Sequence, residues 1–289
     1  MKKNLIIWLL LPWLTFLTYD LSSQSLYRAV TGSRSVALGN SGVALNDSWA
    51  LFNNQAGIVA SDGMMAMADW QNRFLVNGLS QNSVGLLFPV GSGTLGTGLQ
   101  YFGYELYNES KLGIAYAKRL GENSSAGLQL DYFNRHIAEG YGNAGAITFE
   151  IGFISKLNDV LTVGVHVFNP IQAKYSGSTD EKIPSVFVVG LVYKIDESLL
   201  ITAETEKNMN FKPLIRTGFE YEVVEKVAVR IGFSTQPART GSESFSAANM
   251  YTFGFGYQLD RLIVNIAASV HQVLGWSPGV SLSYAFTRK

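Results

Sequence analysis

Most of this chain, from about residue 63 to its end, repeats one pattern in which large apolar side chains occupy every second position and a turn follows. The segment Tyr251–Gln258 is the clearest example, because aromatic residues alternate there with threonine, glycine and glutamine. Successive side chains of a β-strand point to opposite faces, so this spacing predicts strands with one apolar face and one small or polar face. Soluble sandwiches and membrane barrels both use such strands. The number of strands and the lengths of their connections distinguish the two.

The alternating segments number fourteen, and their connections are short at one end and long at the other. Tight turns on one side and larger loops on the other are typical of bacterial outer-membrane barrels. The sequence therefore predicts an all-β fold, a closed 14-stranded antiparallel transmembrane β-barrel over residues 61–289. The predicted strands are 63–70, 80–90, 93–104, 110–120, 124–135, 143–156, 159–169, 183–195, 198–206, 212–223, 226–235, 248–258, 261–271 and 278–287. The predicted long connections are 71–79, 104–110, 136–142, 170–182, 207–211, 236–247 and 272–277.

The composition agrees with a sheet that faces lipid. Only 15% of the residues are charged, against about 25% in typical soluble domains. The 22 lysines and arginines equal the 22 aspartates and glutamates, so the chain has no basic field for nucleic acid. We expect outer-membrane lipid around the barrel and no nucleic-acid partner.

The first 23 residues have the features of a secretory signal peptide. Lys2 and Lys3 precede the apolar stretch Leu5–Leu17, and small residues follow near Ser23. The apolar stretch is shorter than the roughly 20 residues that a membrane-spanning helix needs. The chain also lacks cysteine, which excludes disulfides and a lipid on an N-terminal cysteine. These features predict export to the cell outer membrane.

Residues 24–60 do not alternate and are rich in glycine, serine, alanine and asparagine. We predict that they form a compact hatch, or plug, inside the barrel. Placing the apolar strand positions outward turns the intervening positions inward, because a charge on the lipid face costs roughly 2–4 kcal/mol near mid-membrane. The resulting candidate polar network of the lumen consists of Asp131, Glu150, His166, Glu204, Glu206, Arg216, Glu220, Glu222 and Arg230.

Two interpretations of this inward set remain open. The polar side chains form a path or binding site through the barrel, or they form ion pairs that pack the lumen and hold the plug. In the second case we expect Arg34 to pair with a lumen carboxylate such as Glu204, Glu220 or Glu222. The small glycine and serine faces predict little open space beside the plug, so a general porin is not expected.

The sequence offers no catalytic constellation. Its three histidines are His136 and His271, predicted at the rim, and His166, predicted in the lumen. The spacing of metal ligands, a nucleophile elbow and a phosphate-binding loop are all missing from the sequence. We therefore expect a protein that is not an enzyme and has no metal or cofactor.

The N-terminal region carries a family likeness. Gly32-Ser33-Arg34-Ser35-Val36-Ala37-Leu38-Gly39-Asn40-Ser41-Gly42 is followed by Trp49 and by Asn53-Asn54-Gln55-Ala56-Gly57. These residues resemble the hatch of FadL-like outer-membrane barrels, and more closely that of the PorV/PorQ group of Bacteroidetes. That group has a GxRxxxLGxxG stretch before an Asn-Pro-Ala-Gly-like motif, whose proline is missing here. The resemblance implies a 14-stranded barrel with hatch residues Gly32, Arg34, Gly39, Gly42, Trp49, Asn53, Asn54, Gln55 and Gly57.

The resemblance implies two functions. PorV/PorQ-like proteins serve type IX secretion, which implies a larger envelope or secretion protein as partner. FadL-like proteins pass small hydrophobic compounds, which implies such a compound as ligand. The charged lumen, and the lack of an apolar tunnel visible in the sequence, favour the first hypothesis: a non-enzymatic component or partner of protein export and surface assembly. The FadL-like transporter is the alternative.

Overall fold

The structure is a computed structural model that describes residue 26 and residues 29–61, 63–140, 142–176, 182–209, 213–236 and 248–286. The predicted signal peptide, residues 1–23, lies outside the described residues. Residues 24, 25, 27 and 28 of the predicted hatch also lie outside them, as do most of the connection 236–247 and parts of the connections 170–182 and 207–211.

Fourteen antiparallel strands form one closed barrel, in which each strand pairs with its sequence neighbours and β1 pairs with β14. Met65 lies opposite Ala285 at this seam. The predicted fold class is therefore confirmed. The strands are β1 Met65–Asn72, β2 Ser80–Val90, β3 Gly93–Tyr104, β4 Tyr107–Arg119, β5 Ser124–Ile137, β6 Gly142–Lys156, β7 Leu161–Phe168, β8 Val186–Lys194, β9 Leu199–Asn208, β10 Leu214–Val224, β11 Val227–Gln236, β12 Ala248–Leu259, β13 Leu262–His271 and β14 Gly275–Ala285.

The two ends of the barrel differ in their connections. One end, the short-turn end, carries only the connections 91–92, 120–123, 157–160, 195–198, 225–226 and 260–261. The other, the long-loop end, carries 73–79, 169–185 and 237–247. The predicted long connection 104–110 is wrong, because β3 and β4 extend until only Glu105 and Leu106 join them. The predicted connections 136–142 and 272–277 are shortened in the same way, to 138–141 and 272–274.

The outer wall of the barrel is apolar and carries an aromatic belt near each end. Phe253, Phe255, Ile231 and Leu282 lie exposed in the middle of the wall. Aromatic belts on both sides of an apolar band are a property of transmembrane barrels. The exposed aromatics are Trp70, Tyr101, Tyr104, Tyr132, Tyr251 and Trp276 near the long-loop end, and Tyr116, Tyr193, Tyr221, Tyr257 and Tyr284 near the short-turn end.

Leu26 and residues 29–60, here called the N-terminal segment, lie against the inner wall. The segment contains α1 (Ser33–Ala37), α2 (Ala50–Asn53) and a 3₁₀ helix at Gln55–Ala60. Helix α1 packs against β11–β14, whereas the 3₁₀ helix packs against β3–β6, so the segment crosses the lumen. No helix in the described part of the chain is long and apolar enough to cross a membrane.

Glycines allow the segment to approach the wall at backbone distance. Gly39 has a φ of +74°, and a Cβ there would lie 2.4 Å from the carbonyl oxygen of Thr217. On the wall, a Cβ at Gly232 would lie 2.0 Å from the amide nitrogen of Gly39. Side chains at either position would push the segment and the sheet apart, which explains the glycines on the inward face of the strands.

Candidate functional site in the barrel lumen

Carboxylates of the wall hold the N-terminal segment. Glu204 Oε2 accepts hydrogen bonds from the backbone N–H groups of Gly42 (2.8 Å) and Val43 (2.9 Å). Glu150 Oε2 accepts one from the side chain of Gln55 (2.5 Å), and Glu109 Oε2 accepts one from the backbone of Leu26 (3.0 Å). The three carboxylates lie on β9, β6 and β4, so the segment is tied to several parts of the wall.

Arg34 binds Glu220 in a two-point contact near the short-turn end. Its Nε and Nη2 donate to the two carboxylate oxygens at 2.8 and 2.6 Å, and its Nη1 donates to Asp47 at 3.1 Å. Burial alone lowers the pKa of Arg34, but Glu220 and Asp47 outweigh burial and raise that pKa above its ordinary value. Glu220 also accepts a hydrogen bond from Arg230, whose Nη1 donates to Asn265 at 2.9 Å. The positive charges of Arg34 and Arg230 thus balance the negative charges of Glu220 and Asp47 in this cluster.

A second cluster lies deeper in the lumen, on β4–β7. Lys111 binds Glu150, and its Nζ lies 3.5 Å from Asp131. His166 Nε2 lies 2.9 Å from Glu150. Asp131 and Glu150 are each 1% exposed, so Lys111 supplies the charge compensation that buried carboxylates need.

Arg216 forms the third cluster with two glutamates of the neighbouring strand. Its Nη1 and Nη2 donate to Glu204 and Glu206, both at 2.5 Å. Strand geometry explains the fork, since Glu204 and Glu206 are two residues apart on β9 and therefore share its inward face. Arg216 thus binds two carboxylates at once.

The remaining hatch residues serve the folding of the segment itself. Asn53 exchanges two hydrogen bonds with the backbone of Thr31. Asn54 donates to Val43 O at 2.6 Å and accepts from the first turn of the 3₁₀ helix. Trp49 is 2% exposed and packs on Gly32. Gly57 faces Ala50, where a Cβ would lie only 2.6 Å from the alanine methyl group.

Glu222 has the predicted inward face and lines a cavity at the short-turn end, but it makes no ion pair with the other residues of the predicted lumen network, all of which the structure describes. It lies on the same face of β10 as Glu220 but one step nearer the short-turn end, where it is exposed. Its carboxylate accepts a hydrogen bond from the backbone of Lys226 at 3.1 Å, in the turn between β10 and β11. Alternation gives the face of a residue but not its depth along the barrel.

Sequence reasoning missed Lys111, Arg73 and Glu109. Lys111 and Glu109 share the inward face of β4, where the period of two already contained the signal. Arg73 directly follows β1, and its Nη2 donates a hydrogen bond to Gln81 at 2.7 Å. Burial lowers the pKa of Arg73 to about 10, although the Glu109 carboxylate acts in the opposite direction. Arg73 also lies 4.5 Å from the ring centroid of Phe102.

Towards the long-loop end, the lumen contains an apolar cluster. Phe133 and Phe168 stack edge to face at 5.7 Å, and Tyr175 and Ile183 of the connection 169–185 are buried in the same cluster. The Lys111 ammonium lies 5.6 Å from the centroids of both phenylalanine rings. This apolar cluster inside the barrel was not predicted from the sequence.

Three cavities adjoin the N-terminal segment. A rim cavity of about 70 Å³ lies near the long-loop end, lined by Phe74, Leu214, Arg216, Ser234 and Met250 among others. A central cavity of about 60 Å³ lies among residues that include Phe168, Val188, Glu150 and Glu204. A vestibule of about 440 Å³ opens at the short-turn end beside Arg34 and Glu220. Ala29, Val30 and Arg216 border both smaller cavities.

The described residues contain no group of three or more His, Asp or Glu side chains placed to hold a metal ion. Their charged groups instead form ion pairs with one another and hydrogen bonds to the segment. The arrangement can close the lumen around small cavities and can place apolar groups beside hydrogen-bonding ones.

No family model and no curated protein matches this sequence. Solved structures do match. The CymD monoaromatic hydrocarbon channel has a TM-score of 0.71 and 13% identity, covering 89% of this chain and 98% of that one. A FadL homologue of Pseudomonas aeruginosa has a TM-score of 0.67 and 12% identity, covering 90% and 99%. The toluene transporter TbuX of Ralstonia pickettii has a TM-score of 0.65 and 12% identity, covering 89% and 98%.

At this level of identity the likeness concerns the fold. It spans nearly the whole of each channel as well as most of this chain. The similarity of the N-terminal residues to the narrower PorV/PorQ group stays a prediction. The chain has the fold of the FadL-like outer-membrane channels for hydrophobic compounds.

Proposed function

We propose that this protein is an outer-membrane barrel, not an enzyme, that admits small hydrophobic compounds through its lumen. The long-loop end faces outside and the short-turn end faces the periplasm, as is usual for such barrels. The observation that carries the proposal is the apolar cluster around Phe133 and Phe168, which lies directly on the central cavity.

The residues between the long-loop end and the central cavity suit an uncharged compound. An apolar molecule entering from the long-loop end finds Tyr175, Ile183 and Phe168 as apolar contacts, with Arg135 and Lys111 stacked on the Tyr175 and Phe168 rings. Both cations already have partners, so the molecule does not have to compete for them. The solved structures with the same fold include a monoaromatic hydrocarbon channel and toluene transporters, which makes toluene a suitable first probe.

The test blocks the central cavity with one side chain. Val188 lines this cavity, whereas its neighbour Val189 points to the outer wall and is 49% exposed. Val188→Trp fills the central cavity with an indole ring. Val189→Trp makes the same change on the lipid face, where a tryptophan is tolerated.

The measurement is the initial uptake of radiolabelled toluene by cells that express each variant, after subtracting the uptake of cells without the barrel. We expect Val188→Trp to lower uptake at least about tenfold, since overfilling a packed interior excludes the ligand. Val189→Trp keeps the original rate. Equal uptake by both variants and the parent, with equal amounts of folded barrel in the membrane, contradicts the proposal.

A second candidate function is partnership in protein export at the cell surface. The observation that favours it is the ion pair between Arg34 of the N-terminal segment and Glu220 of the wall, which holds the segment across the lumen. The likeness of residues 32–57 to PorV/PorQ supports the same candidate. In that case the barrel acts through its surface and the lumen stays closed.

Cross-linking in native membranes followed by mass spectrometry tests the second candidate. Export predicts a stoichiometric large envelope protein linked to the connections at the long-loop end or to the outer wall. Recovery of the barrel without such a neighbour excludes the partnership and leaves passage of hydrophobic compounds as the function.

A further inference from the structure

The rim cavity contains two buried polar groups without a hydrogen-bonding partner. Arg216 Nε and Ser234 Oγ make no hydrogen bond to any of the described residues, although the two side chains are only 5% and 1% exposed. An unpaired buried donor costs free energy comparable to a lost hydrogen bond. Both groups therefore lack an acceptor.

The two residues are neighbours on the inward face of the wall. Arg216 on β10 lies directly opposite Ser234 on β11, and both line the rim cavity. Opposite residues of an antiparallel pair have Cβ atoms about 4.5–5.5 Å apart. One oxygen atom with two lone pairs can accept from both, so the pair is suited to a carbonyl or hydroxyl oxygen.

The other wall of the rim cavity is apolar. Leu214, Met250 and the ring of Phe74 border it, together with Ala29 and Val30 of the N-terminal segment. An engineered cavity of about 150 Å³ holds benzene, which corresponds to roughly 25 Å³ per non-hydrogen atom. At about 70 Å³, the rim cavity takes a head group of about three non-hydrogen atoms, with the body of the ligand outside it.

The surrounding charges select a neutral head group. Arg216 is bound by Glu204 and Glu206, and Arg73 at the same cavity lies in the field of Glu109. Two carboxylates therefore already bind the Arg216 guanidinium. A carboxylate ligand at this place is repelled by Glu204 and Glu206. A neutral oxygen instead accepts from Arg216 Nε and Ser234 Oγ without adding charge.

We propose that Arg216 and Ser234 form a selectivity site for neutral compounds that carry a carbonyl or hydroxyl oxygen on an apolar body. This inference rests on the proposed passage of hydrophobic compounds and narrows its substrate class. Compounds with such an oxygen bind more tightly than hydrocarbons of the same shape. Anions of the same shape bind more weakly.

The experiment compares three probes of nearly equal size. Acetophenone has a carbonyl head, α-methylstyrene replaces that oxygen by CH₂, and benzoate carries a charge. Dissociation constants come from equilibrium dialysis of each radiolabelled probe against the full-length barrel in lipid nanodiscs, with empty nanodiscs as the blank. The variant is Ser234→Ala. Its matched control is Ser83→Ala. Ser83 is also 1% exposed, and its hydroxyl also has no hydrogen-bonding partner among the described residues, but Ser83 does not line the rim cavity.

We expect the parent protein to bind acetophenone about tenfold more tightly than α-methylstyrene, the size of a hydrogen bond to a charged donor. Ser234→Ala weakens acetophenone binding about fivefold, the size of a neutral hydrogen bond, and leaves α-methylstyrene binding unchanged. Ser83→Ala changes neither, and benzoate binds more weakly than acetophenone. Equal binding of the two neutral probes, or a ratio that Ser234→Ala does not alter, overturns the inference alone. Binding of neither neutral probe overturns it together with the proposed function.

Discussion

Replacing Arg34 by alanine tests whether its contact with Glu220 keeps the lumen closed. The substitution removes hydrogen bonds of 2.8, 2.6 and 3.1 Å to Glu220 and Asp47. Breaking a buried ion pair costs about 3–5 kcal/mol when the remaining charge has no partner. Glu220 keeps Arg230 as a partner, and the Arg34 side chain is 23% exposed, so the loss is smaller. We take about 2–3 kcal/mol, which lies below the cost of an unpaired buried charge and within the range of one hydrogen bond to a charged group.

A loss of this size increases the equilibrium constant for release of the segment about 30- to 150-fold. The assay is the open probability of single barrels in planar lipid bilayers. Arg34→Lys keeps the charge without the two-point contact and gives an intermediate value. Arg261→Ala removes an exposed arginine at the same end that bonds only to the backbone of Phe286 in the described residues, and it has no effect. An unchanged open probability for Arg34→Ala, with normal heat-dependent gel migration of the barrel, refutes the reasoning.

Two further changes test the packing of the segment and the orientation of the wall. Gly39→Ala places a Cβ 2.4 Å from the carbonyl oxygen of Thr217 at a φ of +74°. It therefore weakens docking of the N-terminal segment by about 2 kcal/mol or more and raises the open probability of the barrel. The control Gly91→Ala, whose Cβ would have no atom within 4 Å, leaves the open probability unchanged. Ile231→Lys on the outer wall lowers the free energy of unfolding by about 2–4 kcal/mol, measured by urea titration in liposomes. Val223→Lys near the short-turn end lowers it by about 0–1 kcal/mol. Equal losses for the two variants contradict the depths assigned to Ile231 and Val223 in the membrane.

The barrel was predictable because strand alternation is a local property that each segment carries by itself. The wall assignments of Phe253 and Phe255 needed only their spacing, and closure followed from the strand number and the sorting of connections. The same spacing also turns Lys111 of β4 inward. Strand ends were less predictable, since β4 gains its first residues by pairing with β3 beyond the apolar run.

The interior was less predictable because its contacts join distant parts of the chain. Arg34 and Glu220 are separated by 186 residues, and their pairing depends on how α1 lies in the lumen. The aromatic cluster was missed for a different reason. Assigning apolar residues to the lipid face leaves no place for Phe133 and Phe168, which the strand register turns inward. A filled barrel has two apolar environments, the lipid outside the wall and the packed interior. The hydrophobicity of a residue does not show which of the two it occupies.

The bonds between Glu204 and the backbone of Gly42 and Val43 make the N-terminal segment an intramolecular ligand of its own barrel. Glu204 and Glu150 also border the central cavity, so a molecule bound there and the segment share the same wall residues. Docking of the segment and occupancy of the cavity are therefore linked equilibria. By whatever factor a bound compound changes the docking constant of the segment, docking changes the affinity for that compound by the same factor.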